Sequence, residues 1–244
     1  MGFLQNFFQS VFEQSPAFQQ MPNSFSNAHD LEMQSHMDVD TYGDFQLTDA
    51  VRPSLDLKVR PSQGYRHDVY HDEESGASVP VIMAAASRDL LFPLFIQLIQ
   101  RLGDTVDVVL ESSHDHQANG HVDFYREQID TPVLISMLWD YEDLLLNDGC
   151  TGIAVLNPNT PQEVQFDEHK LLIIYGSPLE NLEFQLENHG VTCDDKMCFI
   201  TEADHVHTST EMYREQFERL RTLLGIDTDK GSANRPPGGE ELNF

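Results

Sequence analysis

Residues 151–190 read TGIAVLNPNTPQEVQFDEHKLLIIYGSPLENLEFQLENHG, and this stretch has the clearest structural pattern in the chain. An apolar run at 152–156 ends at the turn-forming segment 157–161, and residues 163–167 then alternate polar and apolar side chains. Residues 171–175 are continuously apolar, which is typical of a strand covered on both faces. The stretch therefore predicts an antiparallel hairpin over 151–167, followed by a buried strand.

The same stretch predicts a junction between that strand and a helix. Ser177 suits a helix N-cap, Pro178 the first helical position, and Glu180 the acidic position of a capping box. Leucines recur on one face of the helix that would follow, and Gly190 is a typical residue to end it.

Strand and helix patterns also alternate in the rest of the chain. The order strand, apolar helix, strand over 79–110 favours a right-handed βαβ unit. Further helices are predicted over 122–146 and 209–224, and a strand over 196–201. We therefore predict an α/β three-layer sandwich with a mostly parallel sheet that includes one antiparallel hairpin. The alternative is a ferredoxin-like α+β fold.

Composition divides the chain into four segments. Residues 1–50 lack Lys and Arg and are rich in Phe and Gln, which predicts a mostly disordered arm with one short amphipathic helix. Residues 51–78 are predicted as an extended linker with an edge hairpin, in which 65–71 would pair with 79–85. Residues 79–225 would form the α/β core, and 226–244 a flexible acidic tail.

The charge balance excludes several classes of partner. The chain has 41 acidic and 14 basic residues, for a formal net charge of -27. Such a field repels nucleic acid and anionic membranes, because phosphate binding needs clustered Lys and Arg. No apolar run is long enough to cross a bilayer, and the N-terminus does not resemble a secretory signal. We expect a cytoplasmic protein whose three cysteines are buried free thiols.

Two loops carry histidines in a spacing that suits a metal ion. Ligands in open α/β sheets bind beyond the carboxyl ends of the strands, where loops 86–88, 112–120 and 201–208 would open if the strands ran parallel. Residues two apart in an extended segment point the same way, so each His-x-His could present two imidazoles to one ion. The predicted ligands of a divalent metal are His114, His116, His205 and His207. The competing interpretation is that these are solvated loop histidines without a ligand.

Further polar residues would line the same crevice, namely Ser87, Asp115, His121, Glu202 and Asp204, with Asp115 or Asp204 as a base. His169 follows Asp167 and Glu168, which suits either an acid–base group or a charged turn, and the turn is favoured. Phosphate-loop, dinucleotide and serine-hydrolase motifs do not occur in the chain.

Three functions are compatible with these patterns. The leading prediction is a non-catalytic protein-interaction or regulatory module without a cofactor, which binds a protein partner or itself through Phe3, Phe7, Phe8 and Phe12. The alternative is a metal-dependent hydrolase that uses the two His-x-His loops. A sensor that binds a small ligand in the same crevice is the third.

Overall fold

The computed structural model describes residues 24–25, 30–71, 78–114 and 122–226. Within these ranges the chain forms eleven strands and six α-helices. In chain order they are α1 Asp30–Met37, β1 Thr41–Tyr42, β2 Phe45–Gln46, β3 Val51–Pro53, β4 Gly64–His71, β5 Ser78–Ala85, α2 Arg88–Ile99, β6 Thr105–Ser112, β7 Val122–Asp130, α3 Thr131–Trp139, α4 Glu142–Asn147, β8 Thr151–Leu156, β9 Gln162–Phe166, β10 Leu172–Gly176, α5 Glu180–Asn188, β11 His205–His207 and α6 Glu211–Leu223.

One large sheet organises these elements. It has seven strands in the order β4-β5-β10-β9-β8-β6-β7, and every neighbouring pair is antiparallel. Two small antiparallel ribbons, β1–β2 and β3–β11, accompany it. Helices α2 to α6 share one hydrophobic core with one face of the large sheet. A second core on the opposite face includes side chains from β2 and from the segment before β11.

The predicted mostly parallel sheet is wrong, and so is the ferredoxin-like alternative. Strands β5 and β6 do flank helix α2 and run in the same direction, as a βαβ unit requires. However, β10, β9 and β8 lie between them, so that β5 pairs with β10 and β6 pairs with β8. A crossover helix determines the direction of its two strands, but it does not make them neighbours. The meander β8–β9–β10 fills the gap and makes each contact antiparallel.

Both hairpins predicted from the sequence are confirmed. Strand β8 pairs with β9 from Ile153 opposite Phe166 to Leu156 opposite Glu163. Strand β4 pairs with β5 along its whole length, so the segment before residue 79 belongs to the large sheet.

Three predicted elements are wrong. Residues 122–130 form the edge strand β7 instead of a helix, because pairing with β6 outweighs the helix propensity of Arg126, Glu127 and Gln128. No strand covers 196–201, where the chain makes a 3₁₀ turn at Ile200–Glu202. Helix α5 begins only at Glu180, after a cis Ser177–Pro178 peptide, and Leu179 occupies its N-cap without a side-chain cap.

Two glutamates, the buried Glu163 and the half-buried Glu111, lie on the face of the large sheet opposite the helices. Burial raises the pKa of Glu163 to about 8, and burial together with the charge of Asp123 raises the pKa of Glu111 to about 8. Gln165 donates a hydrogen bond to Glu111 at 2.9 Å, whereas Glu163 Oε1 has no hydrogen-bond partner among the described residues. Burial therefore favours the protonated form of both carboxyl groups in the native protein.

Glu163 makes stability depend on pH in a defined direction. Its pKa is about 8 in the folded protein against an ordinary value of 4.5, so between these values only the native state holds the proton. Native stability should therefore fall as pH rises from 4.5 to about 8. At pH 8, Glu163→Gln should raise the free energy of unfolding by about 2–4 kcal/mol, with little change at pH 4.5.

Urea unfolding of the two proteins across this pH range measures the effect. The control is Glu180→Gln at an exposed position, which should leave the pH profile unchanged. Equal pH profiles for wild type and Glu163→Gln would contradict the protonated state of Glu163.

Candidate metal centre

Three histidines converge beyond the carboxyl end of the central strand β9. One ring nitrogen of each of His169, His205 and His207 lies within 4.8 Å of those of the other two, and all three residues are half-buried. The ring centroids are 4.7 to 5.0 Å apart. His169 lies in the turn after β9, which runs in the same direction as β5 and β6. The cluster therefore lies on the side of the sheet where the carboxyl ends of these three strands are found.

Asp167 positions His169. The buried Asp167 carboxylate accepts a hydrogen bond from the backbone N–H of Leu171 at 2.7 Å and one from His169 Nδ1 at 2.8 Å. Lys170 adopts a left-handed backbone conformation with φ of 64° and donates its N–H to the Asp167 carbonyl. One carboxylate thus holds both the β9–β10 turn and the orientation of the imidazole.

Strand β11 positions the other two histidines. His205 and His207 are opposite Pro53 and Val51 of β3, and their spacing of two directs both side chains to one side of the ribbon. His205 Nδ1 donates to the Ala203 carbonyl at 2.8 Å, and His207 Nδ1 donates to the Gly149 carbonyl at 2.6 Å. Backbone acceptors therefore determine the orientation of both rings.

The hydrogen bonds of the cluster match those of metal-binding histidines. Each Nδ1 donates to a carboxylate or a carbonyl oxygen, so that an ion would have to bind each ring through Nε2. Histidines that bind metals almost always donate their other ring N–H in this way. Among the described residues the group offers three ligands, and three protein ligands with an open position are typical of catalytic zinc sites.

The charge environment differs among the three rings. Burial and the neighbouring His169 lower the pKa of His205 to about 4, and the same two causes lower the pKa of His207. Burial also opposes charge on His169, but the adjacent Asp167 carboxylate raises the pKa of His169 above its usual value. Burial therefore favours the neutral form of His205 and His207, which metal binding needs, whereas Asp167 favours the charged form of His169.

A buried lysine and an apolar cleft adjoin the cluster. Lys170 Nζ donates to the Thr151 carbonyl at 2.9 Å, and burial lowers its pKa to about 8 although Asp148, Asp167 and Glu168 favour its charge. His169 and Lys170 line a cleft with apolar walls from Phe45, Leu91, Phe199 and Ile200.

The structure brings together two of the four histidines predicted as ligands. His205 and His207 belong to the cluster, but His114 does not. Its Nε2 lies 2.9 Å from the buried Asp148 carboxylate, and its Nδ1 lies 2.8 Å from Ser112 Oγ. His116 lies outside the described residues, as do Asp115 and His121.

The other residues of the predicted crevice hold chain segments together. Ser87 Oγ accepts a hydrogen bond from the backbone of Gln46, and Glu202 forms an ion pair with Arg66 at 2.6 Å. Asp204 accepts a hydrogen bond from the backbone of Ser24 at 3.0 Å. None of the three belongs to the histidine cluster.

His169 belongs to the cluster, although its sequence context does not predict a metal ligand. The Asp167-x-His169 spacing was visible as an acid–base pair or a charged turn, but it has no fixed meaning alone. Only the reversal of the chain between β9 and β10 directs this imidazole toward β11.

The interaction arm cannot be compared with the structure in the same way. Phe3, Phe7, Phe8 and Phe12 lie outside the described residues, so binding of a partner through them stays a prediction.

In the described part of the chain, no helix has the length and apolarity needed to cross a membrane.

Comparisons with known proteins found no relatives. No protein-family model matches the chain, and neither a curated protein nor a solved structure matches it.

Gly149 tests the close packing that positions His207. A Cβ at residue 149 would lie 2.5 Å from the Ala50 carbonyl oxygen and 2.9 Å from that of Thr208, both of them backbone atoms. We expect Gly149→Ala to lower the free energy of unfolding by about 2–4 kcal/mol and to shift the imidazole NMR resonances of His207.

Gly190→Ala is the matched control, because φ there is 74° and no atom lies within 4 Å of the added Cβ. It should lower the free energy of unfolding only by the left-handed backbone strain, about 1–2 kcal/mol. The imidazole NMR resonances of His207 should not change. Equal effects of the two substitutions on stability and on His207 would contradict the tight packing at Gly149.

Proposed function

We propose that the protein is a metal-dependent hydrolase whose metal ion binds His169, His205 and His207. The observation that carries this proposal is the convergence of three imidazoles whose Nδ1 atoms all donate to oxygen acceptors. Solvated loop histidines, the competing interpretation, have no reason to share both features.

The ligand set indicates the class of metal. Three imidazole nitrogens suit zinc and the neighbouring transition metals, whereas magnesium and calcium prefer oxygen ligands. A zinc ion held by these three histidines would supply a nucleophile near neutral pH by making a water molecule more acidic.

The surrounding residues have supporting roles. Asp167 is a positioning residue that orients His169, and the Ala203 and Gly149 carbonyls do the same for the other two ligands. The cleft beside His169 and Lys170 is small and has apolar walls, so it would hold only a small apolar group of an ester substrate. In ester hydrolysis the oxygen of water bonds to the acyl carbon, the bond to the alcohol oxygen breaks, and that oxygen gains a proton.

The free cysteines support the cytoplasmic location expected from the sequence. Cys150, Cys193 and Cys198 form no disulfide, which is usual in a reducing compartment. Only Cys150 is buried, so the expectation that all three thiols are buried is wrong for Cys193 and Cys198.

Metal content tests the site itself. The full chain, purified without a histidine tag or chelator and dialysed with zinc, should bind one more equivalent of metal than His205→Ala, because that substitution removes a ligand. Asp167→Asn should weaken binding about 10- to 100-fold, the usual effect of losing the partner of a metal-binding histidine. The control is His71→Ala, an exposed histidine outside the cluster. Identical zinc content in wild type and His205→Ala would rule out this centre.

Activity tests the proposed chemistry separately. Zinc-loaded protein should hydrolyse p-nitrophenyl acetate with a rate that falls about 100-fold or more in His207→Ala, since a catalytic metal contributes several kcal/mol. The His71→Ala control should keep the wild-type rate. Zinc binding without hydrolysis that depends on His207 would refute the hydrolase and leave a metal-binding site.

A further inference from the structure

A second group of metal-binding side chains lies outside the histidine cluster. His67 of β4 and Cys193 and Asp195 of the loop after α5 are all exposed. Cys193 Sγ is 3.7 Å from His67 Nδ1 and 3.6 Å from Asp195 Oδ1, and these last two atoms are 3.5 Å apart. The three ligand atoms therefore form a nearly equilateral triangle.

The size of this triangle suits one tetrahedral ion. Bonds of about 2.0–2.3 Å to thiolate, imidazole and carboxylate place neighbouring ligand atoms of a tetrahedral zinc site about 3.3–3.6 Å apart. The observed separations of 3.5 to 3.7 Å require almost no rearrangement to reach these values. The fourth tetrahedral position would be taken by solvent, because the three side chains are exposed.

Backbone hydrogen bonds hold the loop beside β4. The Tyr65 N–H donates to the Thr192 carbonyl at 3.0 Å, and the Asp194 N–H donates to the Tyr65 carbonyl at 2.8 Å. The contact of Cys193 and Asp195 with His67 is therefore a consequence of strand-like pairing at the start of β4. It does not depend on the chance approach of a long side chain.

A carboxylate orients the histidine from its other side. His67 Nε2 lies 2.9 Å from Glu183 Oε1, which also accepts a hydrogen bond at 2.8 Å from the hydroxyl of Tyr65. The Tyr65 side chain is completely buried, so it connects this arrangement to the hydrophobic core. His67 thus has one ring nitrogen beside a carboxylate and the other in the ligand triangle. This is the usual arrangement of a metal-binding histidine.

We infer that His67, Cys193 and Asp195 bind a second divalent zinc-type ion, which joins the loop after α5 to strand β4. The thiol and the imidazole favour zinc over magnesium or calcium, which prefer oxygen ligands. This site does not depend on the proposed hydrolase, because it shares no residue with the three-histidine centre.

Cobalt distinguishes this site from the three-histidine centre by its spectrum. Bound to Cys193, Co²⁺ should show a thiolate-to-metal charge-transfer band in the near ultraviolet, whereas a centre of three histidines has no thiolate. The full chain, reduced and metal-free, is titrated with Co²⁺ and then with Zn²⁺. We expect the intensity of the band to correspond to one Co²⁺ bound per chain at this site. The band should disappear when Zn²⁺ displaces the bound Co²⁺.

Matched variants assign the band. Cys193→Ser should abolish it, and Cys198→Ser, which removes the other exposed thiol, should leave it unchanged. His207→Ala should also keep the band, so failure of the hydrolase proposal and failure of this one are distinguishable. Glu183→Gln should weaken cobalt binding about 10- to 100-fold, because His67 loses its orienting carboxylate.

Two results would overturn the inference. One is the absence of a charge-transfer band in wild-type protein with a native circular dichroism spectrum. The other is a band that survives in Cys193→Ser, which would place the bound cobalt on a different thiol.

Discussion

The buried Asp167 carboxylate makes the hydrogen bonds on which the turn between β9 and β10 depends. It accepts hydrogen bonds from the Leu171 backbone and the His169 ring, and the Asp167 carbonyl accepts the Lys170 N–H. Without this carboxylate, a buried N–H would lose its acceptor and the imidazole would lose its orientation, and each loss is unfavourable in a low-dielectric environment. Reversal of the chain between β9 and β10 and placement of the His169 ring in the cluster therefore depend on the same carboxylate.

The other two ligands come from an independent part of the chain. Strand β11 pairs with β3, and Gly149 joins this ribbon to the start of β8 through hydrogen bonds with Thr208 and His207. The β9–β10 turn, strand β11 and the segment at Gly149 are distant in sequence but meet at the cluster. Hydrogen bonds orient all three rings without a bound ion. Preorganisation of this kind reduces the ordering that binding would otherwise require.

The two clusters differ in ways that suggest different uses. The three-histidine group is half-buried beside an apolar cleft, whereas the group with Cys193 is exposed and lies between a strand and a loop. In each, one histidine has a ring nitrogen within 2.9 Å of a carboxylate, Asp167 in the first and Glu183 in the second. The first arrangement is consistent with the proposed hydrolase, and the second with the proposed ion that joins a loop to strand β4.

Local patterns in the sequence determined several elements correctly. Alternation and turn residues identified the hairpins β8–β9 and β4–β5, and an amphipathic stripe identified helix α6. The spacing of His205 and His207 also placed both side chains on one side of an extended segment, which the structure shows to be strand β11. These features depend on interactions between residues close in sequence, which a pattern can represent.

Only the tertiary structure decided which strands are neighbours and which histidines meet. The insertion of β10, β9 and β8 between β5 and β6 depends on pairings across many residues, which hydrophobic periodicity does not encode. His114 pairs with Asp148 instead of joining the cluster, and His169 takes part because the β9–β10 turn directs it toward β11. Since ligand sets are defined by distances of a few ångströms, they depend on the register and direction of strands that only the folded chain determines.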